Sequence, residues 1–580
     1  MHNLCIYNAI PTLYLYVLYT MNFKEYIDRA YSDLGLIPIN GQDLAVDKIL
    51  TEFFINGKKN CILSADTGTG KSIIGAVISK IFTYHFEKEF DDGELLPSLI
   101  TVHSNSLVKQ YTKSFERFPS TEFHQILGAS NYKCEAGQQM SVDKHKTYTG
   151  EDCFKKMADK GIIQKYCNDC EYHIAKSMIN STNALITNYS YHFISSLWSQ
   201  HLKPRKITIF DEAHTINDVF CEHTSIFVSV DRLESYIDEC RKLFPIATRE
   251  WTEQLSEIKD QIKMNRINES NYVRPLKEIM NCYKGISGIF EKEAKEANIN
   301  DYVKYNKIGK KYFNLGCKIG DLFTHKFDHV FESKDKEFSI KPIFVGEMSK
   351  LVMSEYNLFM SATISPEFMN TTLKLPGYET AFIKLAPVYD PSNKTVSFIG
   401  NHRLNKAAME NPVIIEELQE TVSEIVNSGS DDGMKGLMLT PSFAVGELLS
   451  KKINSKKTKI FLHKSGIKAD DIVKEFKAYN GPSILISPSI YEGLDFADDL
   501  SRYQIIVKAP YPSLGEKRMK YIADNYGEIY RIMTIKKIIQ GIGRSVRNKD
   551  DWALTFILDK NAEMLFKSSL NVWKDQFEYN

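Results

Sequence analysis

The sequence predicts an α/β protein of two parallel-sheet domains, the first interrupted by two insertions. Three observations predict it. Short β-branched runs recur in both halves without apolar–polar alternation, the mark of strands buried on both faces and hence of parallel sheets covered by helices. A strand–glycine loop–helix unit and a strand ending in two acids both stand in the first half, and open α/β sheets place ligands at such strand ends. The length, 580 residues, is too great for one hydrophobic core when domains run to roughly 150 residues.

The runs of the first half are CILS (61–64), SLITVH (98–103), NALIT (183–187), KITIF (206–210) and NLFMS (357–361). Those of the second half are TVSFIG (395–400), GLMLT (436–440), KIFLH (459–463), SILIS (483–487), QIIVK (504–508) and ALTFIL (553–558). Long gaps after 103 and after 210 divide the first half. Its expected parts are 22–103, 183–219 and 346–388, with insertions at 104–182 and 220–345 and the second domain at 389–580. The stretch 220–345 is rich in charge and helix formers (DRLESYIDECRKLF, WTEQLSEIKDQIKM) and lacks strand runs, so a mostly helical insertion is expected. Residues 1–21 are read as an extension outside the folded chain, Met21 being the natural start. The apolar run 4–20 contains Asn8 and Pro11 with no Lys or Arg before it, which suits neither a membrane span nor a secretion signal. No membrane partner is expected, and the chain is read as intracellular rather than secreted.

Composition is 43% hydrophobic and 25% charged, with 73 Lys+Arg against 73 Asp+Glu. Collagen, a disordered tail and a multi-span membrane protein are excluded. Zero formal charge also excludes a general positive coat, so nucleic acid must be held in local grooves.

After CILS comes ADTGTGKS, then the helical SIIGAVISKIF. Ala65, Asp66, Thr67, Gly68, Thr69, Gly70, Lys71 and Ser72 form a phosphate cradle in which Ala65 stands where the common pattern has its first glycine. The glycines let backbone N–H groups turn inward, and the helix N-terminus adds partial positive charge. Lys71 would reach the β/γ-phosphates and Ser72 would ligate Mg²⁺. RKITIFDEAH (205–214) places Asp211 and Glu212 at the end of a buried strand. Asp211 suits Mg²⁺ ligation, Glu212 the orientation and deprotonation of an attacking water, and His214 the relay of contacts.

These segments resemble the DEAH-type helicases of superfamily 2, and the motifs that follow keep the same order. SAT (361–363) looks like the segment coupling hydrolysis to movement. SPSIYEGLDF (487–496) looks like the motif tying the second domain to nucleotide through Glu492, Gly493 and Asp495. QGIGRSVRNKDD (540–551) looks like the arginine motif, with Gln540, Arg544 and Arg547 on one face if helical. Gln42, in PINGQ, resembles the adenine-side glutamine. Asp66 departs from the pattern, which has Pro or Gly there.

Ten cysteines in a large intracellular chain are not a disulfide framework. Four crowd together as Cys134, Cys153, Cys167 and Cys170, a set that by chemistry alone suits tetrahedral Zn²⁺ or a [4Fe–4S] cluster. Their position between phosphate loop and DEAH resembles the XPD/DinG iron–sulfur helicases, as do EGLDF, IIVKAPYP and the long insertion before SAT. That resemblance implies two RecA-like domains, a [4Fe–4S] domain and a helical arch. It also implies a monomeric motor that hydrolyses ATP with Mg²⁺ and moves 5′→3′ on single-stranded DNA, opening forked duplex DNA. Ser104, Asn105 and Ser106, with SFAVGEL (442–448), are the candidate strand contacts; the basic KKINSKKTK (451–459) reads as a solvated helix face. An RNA helicase or duplex translocase with the same motor is the alternative, and a nucleotide-gated adaptor the remote one.

Overall fold

Strand burial organises the molecule, and it is complete where the β-branched runs lie: every residue of Asn60–Ser64, Leu96–Val102, Arg205–Asp211 and Tyr356–Ser361 is buried. The computed structural model describes residues 23–39, 41–134, 170–199, 201–325, 327–490, 496, 498–546, 550–569 and 573–579. In chain order, β1 is Asn60–Ser64, β2 Leu96–Val102, β3 Phe123–Gln125, β4 Ala184–Asn188, β5 Arg205–Asp211, β6 Ile226–Ser229, β7 His329–Lys334 and β8 Glu337–Pro342. Then come β9 Tyr356–Ser361, β10 Thr380–Lys384, β11 Lys394–His402, β12 Lys435–Leu439, β13 Lys459–Leu462, β14 Ser483–Ser487, β15 Tyr503–Ile506, β16 Ala553–Asp559 and β17 Glu578–Tyr579.

The first domain is a parallel sheet of order β10-β1-β9-β5-β2-β4-β3, and the second a parallel sheet of order β13-β14-β12-β15-β16-β11-β17. In the first, β1, β9 and β5 are adjacent, so the phosphate loop, SAT and DEAH leave the sheet side by side. Rings stack across this centre, Phe210 on Phe359 at 4.9 Å. The helix Lys71–His85 lies against the sheet through Ile74, Val77, Ile78, Ile81 and Phe82, a buried stripe at helical spacing.

Three expectations need correction. The 220–345 stretch carries, besides its helices, an antiparallel sheet of order β6-β8-β7. These strands are short and only partly buried, Ile226 and Val228 of β6 buried while Phe227 is 50% exposed, so they present no continuous β-branched run. Above them stand the helices Val230–Leu243, Arg249–Lys263, Val273–Glu296 and Ile299–His325. Second, the first domain continues beyond 103: β3 pairs with β4 at the sheet edge, reached through the helix Asn105–Phe115. The edge strands β3, β10 and β17 left no usable pattern because each is short or only partly buried. Residues 451–458 form a turn rather than a helix face, with Lys452 paired to Glu416 and Glu420 and Lys457 to Asp431. Among the described residues, no helix is long and apolar enough to cross a membrane.

Gly400 in β11 meets the neighbouring strand so closely that a Cβ there would lie 1.9 Å from the Leu558 carbonyl oxygen. Backbone cannot yield as a side chain can, so Gly400→Ala is expected to destabilise the second domain by about 1–3 kcal/mol, read as a lower melting temperature.

Candidate nucleotide site at the domain seam

The loop after β1 turns through Gly68 (φ 85°) and Gly70 (φ 73°). Both conformations favour glycine, and Gly70 starts the helix Lys71–His85 with no side-chain cap. Inside the loop, the Thr69 hydroxyl donates to the Asp66 carbonyl (2.8 Å), and the Lys71 ammonium donates to the carbonyls of Ala65 (3.3 Å) and Asp66 (3.4 Å). Gln42 is buried and braces the loop, its Nε2 donating to the Thr69 carbonyl (2.9 Å) while its Oε1 accepts from Ile39 N–H (3.3 Å). An uncapped helix start, two left-handed glycines and a lysine folded onto loop carbonyls fit a phosphate chain.

Asp211, the last residue of β5, is buried. Its Oδ2 accepts from the Tyr111 hydroxyl (2.6 Å), its Oδ1 from Glu212 N–H (3.0 Å), and its carbonyl from the Tyr189 hydroxyl (2.6 Å). Burial, and then the charge of Glu212, push the Asp211 carboxyl above the usual carboxylate range, while Lys71 and Tyr111 pull the other way. Burial, and then Asp211, likewise raise the Tyr111 phenol far above its ordinary value, so it remains a donor.

Glu212 adopts a left-handed backbone (φ 55°, ψ 42°), which costs a non-glycine residue roughly 1–2 kcal/mol. The strained turn swings its carboxylate back to the seam: Oε2 lies 3.3 Å from both Ser361 Oγ and His214 Nδ1. Burial opposes its charge, but the hydrogen bond from His214 and the positive charges of Lys71 and Arg544 outweigh that, holding Glu212 well below the usual range.

His214 makes the link to the second domain. Its Nδ1 is 2.8 Å from Ser361 Oγ, and its Nε2 is 2.6 Å from Gln540 Nε2. An amide nitrogen can only donate, so the ring proton sits on Nδ1, facing Ser361 and Glu212. Lys536, one turn earlier on the same helix as Gln540, donates to the His214 carbonyl (2.9 Å) with its ammonium over the Phe368 ring (3.8 Å). Acid, serine, histidine and glutamine therefore form one chain across the two domains.

The helix Gly527–Ile542 carries Gln540 but ends at the cap Gly543, one residue before Arg544. Gln540 and Arg544 therefore do not share a helical face. Arg544 nevertheless acts on Glu212 through its charge, from the turn beyond the helix. Arg547, Glu492, Gly493, Asp495, Cys153 and Cys167 lie outside the described residues.

Among the other candidates, Ser104 caps the helix after β2 by accepting from Leu107 N–H (3.4 Å), and its hydroxyl lies 2.8 Å from that of Ser106. Asn105 hydrogen-bonds both Asn131 (3.0 Å) and Asn188, joining the carboxyl ends of β2 and β4. Ser442 caps the helix after β12 in the same way, accepting from Val445 N–H (3.3 Å). Cys134 is buried, and Cys170 precedes the helix Glu171–Met178. The rings of Tyr132 and Tyr172, 5.4 Å apart, join the two segments that carry these cysteines.

Tyr111, Tyr189, Ser361, Lys536 and Lys394 were not singled out individually from the sequence. Only the last had a signal: an aspartate at position 66, inside a phosphate loop, calls for a cation.

The comparisons bear on the whole arrangement. Residues 36–244 match the type III restriction enzyme, res subunit family, and residues 427–571 match the Helicase C-terminal domain family. The chain is 22% identical over 500 residues to the ATP-dependent DNA helicase CHL1 of Vanderwaltozyma polyspora, covering 70% of this chain and 58% of the relative. It is 38% identical over 79 residues to the general transcription and DNA repair factor IIH helicase subunit XPD/RAD3 of Saccharomyces cerevisiae, covering 12% and 10%. A solved XPD helicase superposes with a TM-score of 0.58 at 16% identity, covering 93% of this chain and 99% of that one. These matches cover separate parts of the chain, and at 16% identity the XPD structure shows a shared fold. S. tokodaii Xpd4 has the same fold, superposing with a TM-score of 0.54 at 12% identity and covering 93% and 100%. The chain spans 58% of the length of the CHL1 relative.

Tyr111→Phe removes the hydroxyl donor from a buried carboxylate and is expected to cost about 1.5–3 kcal/mol of stability near neutral pH. The substitution raises the folded-state pKa of Asp211 further. The loss is therefore greatest above that pKa and shrinks as pH falls toward the unfolded value, which thermal melts across the acidic range would register.

Proposed function

We propose that this chain is an ATP-driven DNA helicase moving 5′→3′ on single-stranded DNA. The observation that carries the reading is the chain Glu212–Ser361–His214–Gln540, which ties the acid at the end of β5 to the second domain. Hydrolysis coupled to domain motion needs such a dependence of the site on both lobes.

In this reading Lys71 holds the β/γ-phosphates, with the Thr67–Gly70 backbone around them. Ser72 and Asp211 hold Mg²⁺, which when bound neutralises phosphate charge. Glu212, kept ionised by its neighbours, orients the attacking water and takes its proton. Arg544, and Arg547 with it, stabilise charge developing on the transferred phosphoryl group. Gln540 reports closure through His214, Gln42 flanks the base, and Asp495 reaches the nucleotide from the second domain. Ser104, Asn105, Ser106 and the 442–448 segment follow equivalent strands of the two sheets, which suits a strand track across both domains; such tracks combine phosphate contacts with base stacking.

DNA as the polymer rests on the relatives named above, one an ATP-dependent DNA helicase and the other the helicase subunit of a DNA repair factor by name. The cysteine set fits a [4Fe–4S] cluster in its chemistry, four thiols with Cys134 buried and Cys170 immediately before the helix Glu171–Met178. When bound, the cluster would tie four thiolates into one rigid wedge beside the DNA path, and Zn²⁺ is the chemical alternative. Forked duplex would be the substrate, opened by a monomeric motor wherever the cell keeps its DNA.

Lys71→Ala is expected to abolish ATP turnover. Glu212→Gln should keep nucleotide binding but turn over about 10²–10⁴-fold more slowly, measured by steady-state phosphate release. Normal turnover in either variant would overturn the site. Protein purified without oxygen should contain iron and sulfide, and Cys167→Ser should lose the visible absorbance and unwinding while retaining ATPase activity. Unwinding of 5′-tailed but not 3′-tailed duplex checks the polarity, and stimulation by RNA in place of DNA would favour the alternative motor.

A further inference from the structure

The departure at position 66 has a partner in the other domain. Asp66 Oδ2 is 2.6 Å from the ammonium of Lys394, the first residue of β11, and both side chains are almost wholly buried (7% and 3% exposed). The other Asp66 oxygen accepts from Thr67 N–H (2.8 Å). The segment leading to Lys394 lies on the loop itself: a Cβ at Gly68 would stand 1.8 Å from the Tyr389 hydroxyl oxygen. The Lys394 ammonium lies over the rings of Tyr389 (5.6 Å) and Phe577 (5.9 Å).

A carboxylate in a loop shaped for phosphates repels the anion it should bind, and it does so strongly where water is excluded. Lys71 is folded onto loop carbonyls and serves the phosphate position, so it does not cancel Asp66. The cation that does belongs to the second domain. We propose that Lys394 is a charge-compensating residue for Asp66, so that the phosphate loop has its full affinity for nucleotide only while the second domain is docked. Opening the seam withdraws Lys394, uncovers the carboxylate and weakens the grip on nucleotide. This rests on the reading of residues 65–72 as the ATP site. It adds a second route, separate from the arginine turn, by which domain position reaches the phosphates.

The test is equilibrium binding of a fluorescent ATP analogue to the full-length chain by anisotropy, with melting temperature recorded in parallel. Lys394→Met should weaken binding by about tenfold or more. Asp66→Asn should bind as tightly as wild type or tighter, even though losing the buried pair lowers its melting temperature. The double variant should return to within about threefold of wild type. Equal affinity in wild type and Lys394→Met overturns the proposal. A double variant as weak as Lys394→Met overturns it too, because Lys394 would then be a phosphate ligand in its own right. Should Lys394→Met fail to fold, Asp66→Asn decides alone: weaker binding by tenfold or more overturns compensation. Failure of the wild-type chain to bind the analogue, or undiminished binding by Lys71→Ala, would strike the site reading itself rather than this pair.

Discussion

Two adjacent carboxylates at the end of a buried central strand are the constraint from which the rest of the seam follows. Neither Asp211 nor Glu212 can carry charge there without donors, and the second domain adds to those the first domain supplies. Tyr111 and Lys71 serve Asp211 from within the domain. Glu212 depends on His214, whose orientation is set from the other side by Gln540, and on the charge of Arg544. The acid that would act on water is thus held in its ionised form by groups from both domains, and separating them alters its chemistry before any substrate moves.

The same constraint explains why the seam is polar. Alongside apolar contacts such as Phe368 with the isoleucines of the Gly527–Ile542 helix, single hydrogen bonds and a compact ion pair run across it: Lys536 to the His214 carbonyl, Gln540 to the His214 ring, Lys394 to Asp66. Buried ion pairs add little net stability against an apolar replacement, but breaking one by removing a partner is costly. A seam built this way discriminates sharply between docked and undocked positions without being hard to open, which suits a joint that must cycle.

Much of this was readable from residue order. The eleven runs read as strands coincide with β1, β2, β4, β5, β9, β11, β12, β13, β14, β15 and β16; in β1, β2, β5, β9, β12, β14 and β15 every residue is buried, which favours a continuous apolar run. The loop at 65–72 and the acids at 211–212 emerge at the same end of the sheet with only β9 between their strands, as their places at strand ends implied. Strands β6, β7 and β8 stayed hidden because one face is open to solvent and antiparallel pairing tolerates mixed residues. Tyr111, Tyr189 and Lys394 stayed hidden for another reason: each is an ordinary residue type in an ordinary segment, and only the tertiary fold brings it to an acid. The condition placed on the arginine motif, that it be helical, fails at Arg544, because spacing alone does not show that the helix ends at Ile542.

The small antiparallel sheet that the sequence concealed is also where the inserted helices meet the second domain. Arg518 is buried there, its Nε donating to the Pro342 carbonyl (2.8 Å) and its Nη2 to the Ile343 carbonyl (3.0 Å) at the end of β8. Lys517 reaches the Phe331 carbonyl of β7 (2.7 Å), and Lys341 pairs with Glu516 (2.9 Å). These residues begin the helix Lys517–Asn525, which passes through Tyr526, its ring against Phe344 at 5.0 Å, directly into the helix carrying Lys536 and Gln540. One continuous pair of helices is therefore fastened at one end to the inserted domain and at the other to the DEAH turn. A shift of that pair relative to β5 cannot occur without strain or slippage at the β7–β8 sheet, since backbone carbonyls buried under Arg518 would lose their donors. The inserted helices are in this way mounted on the moving lobe as well as on the lobe that contains them in sequence.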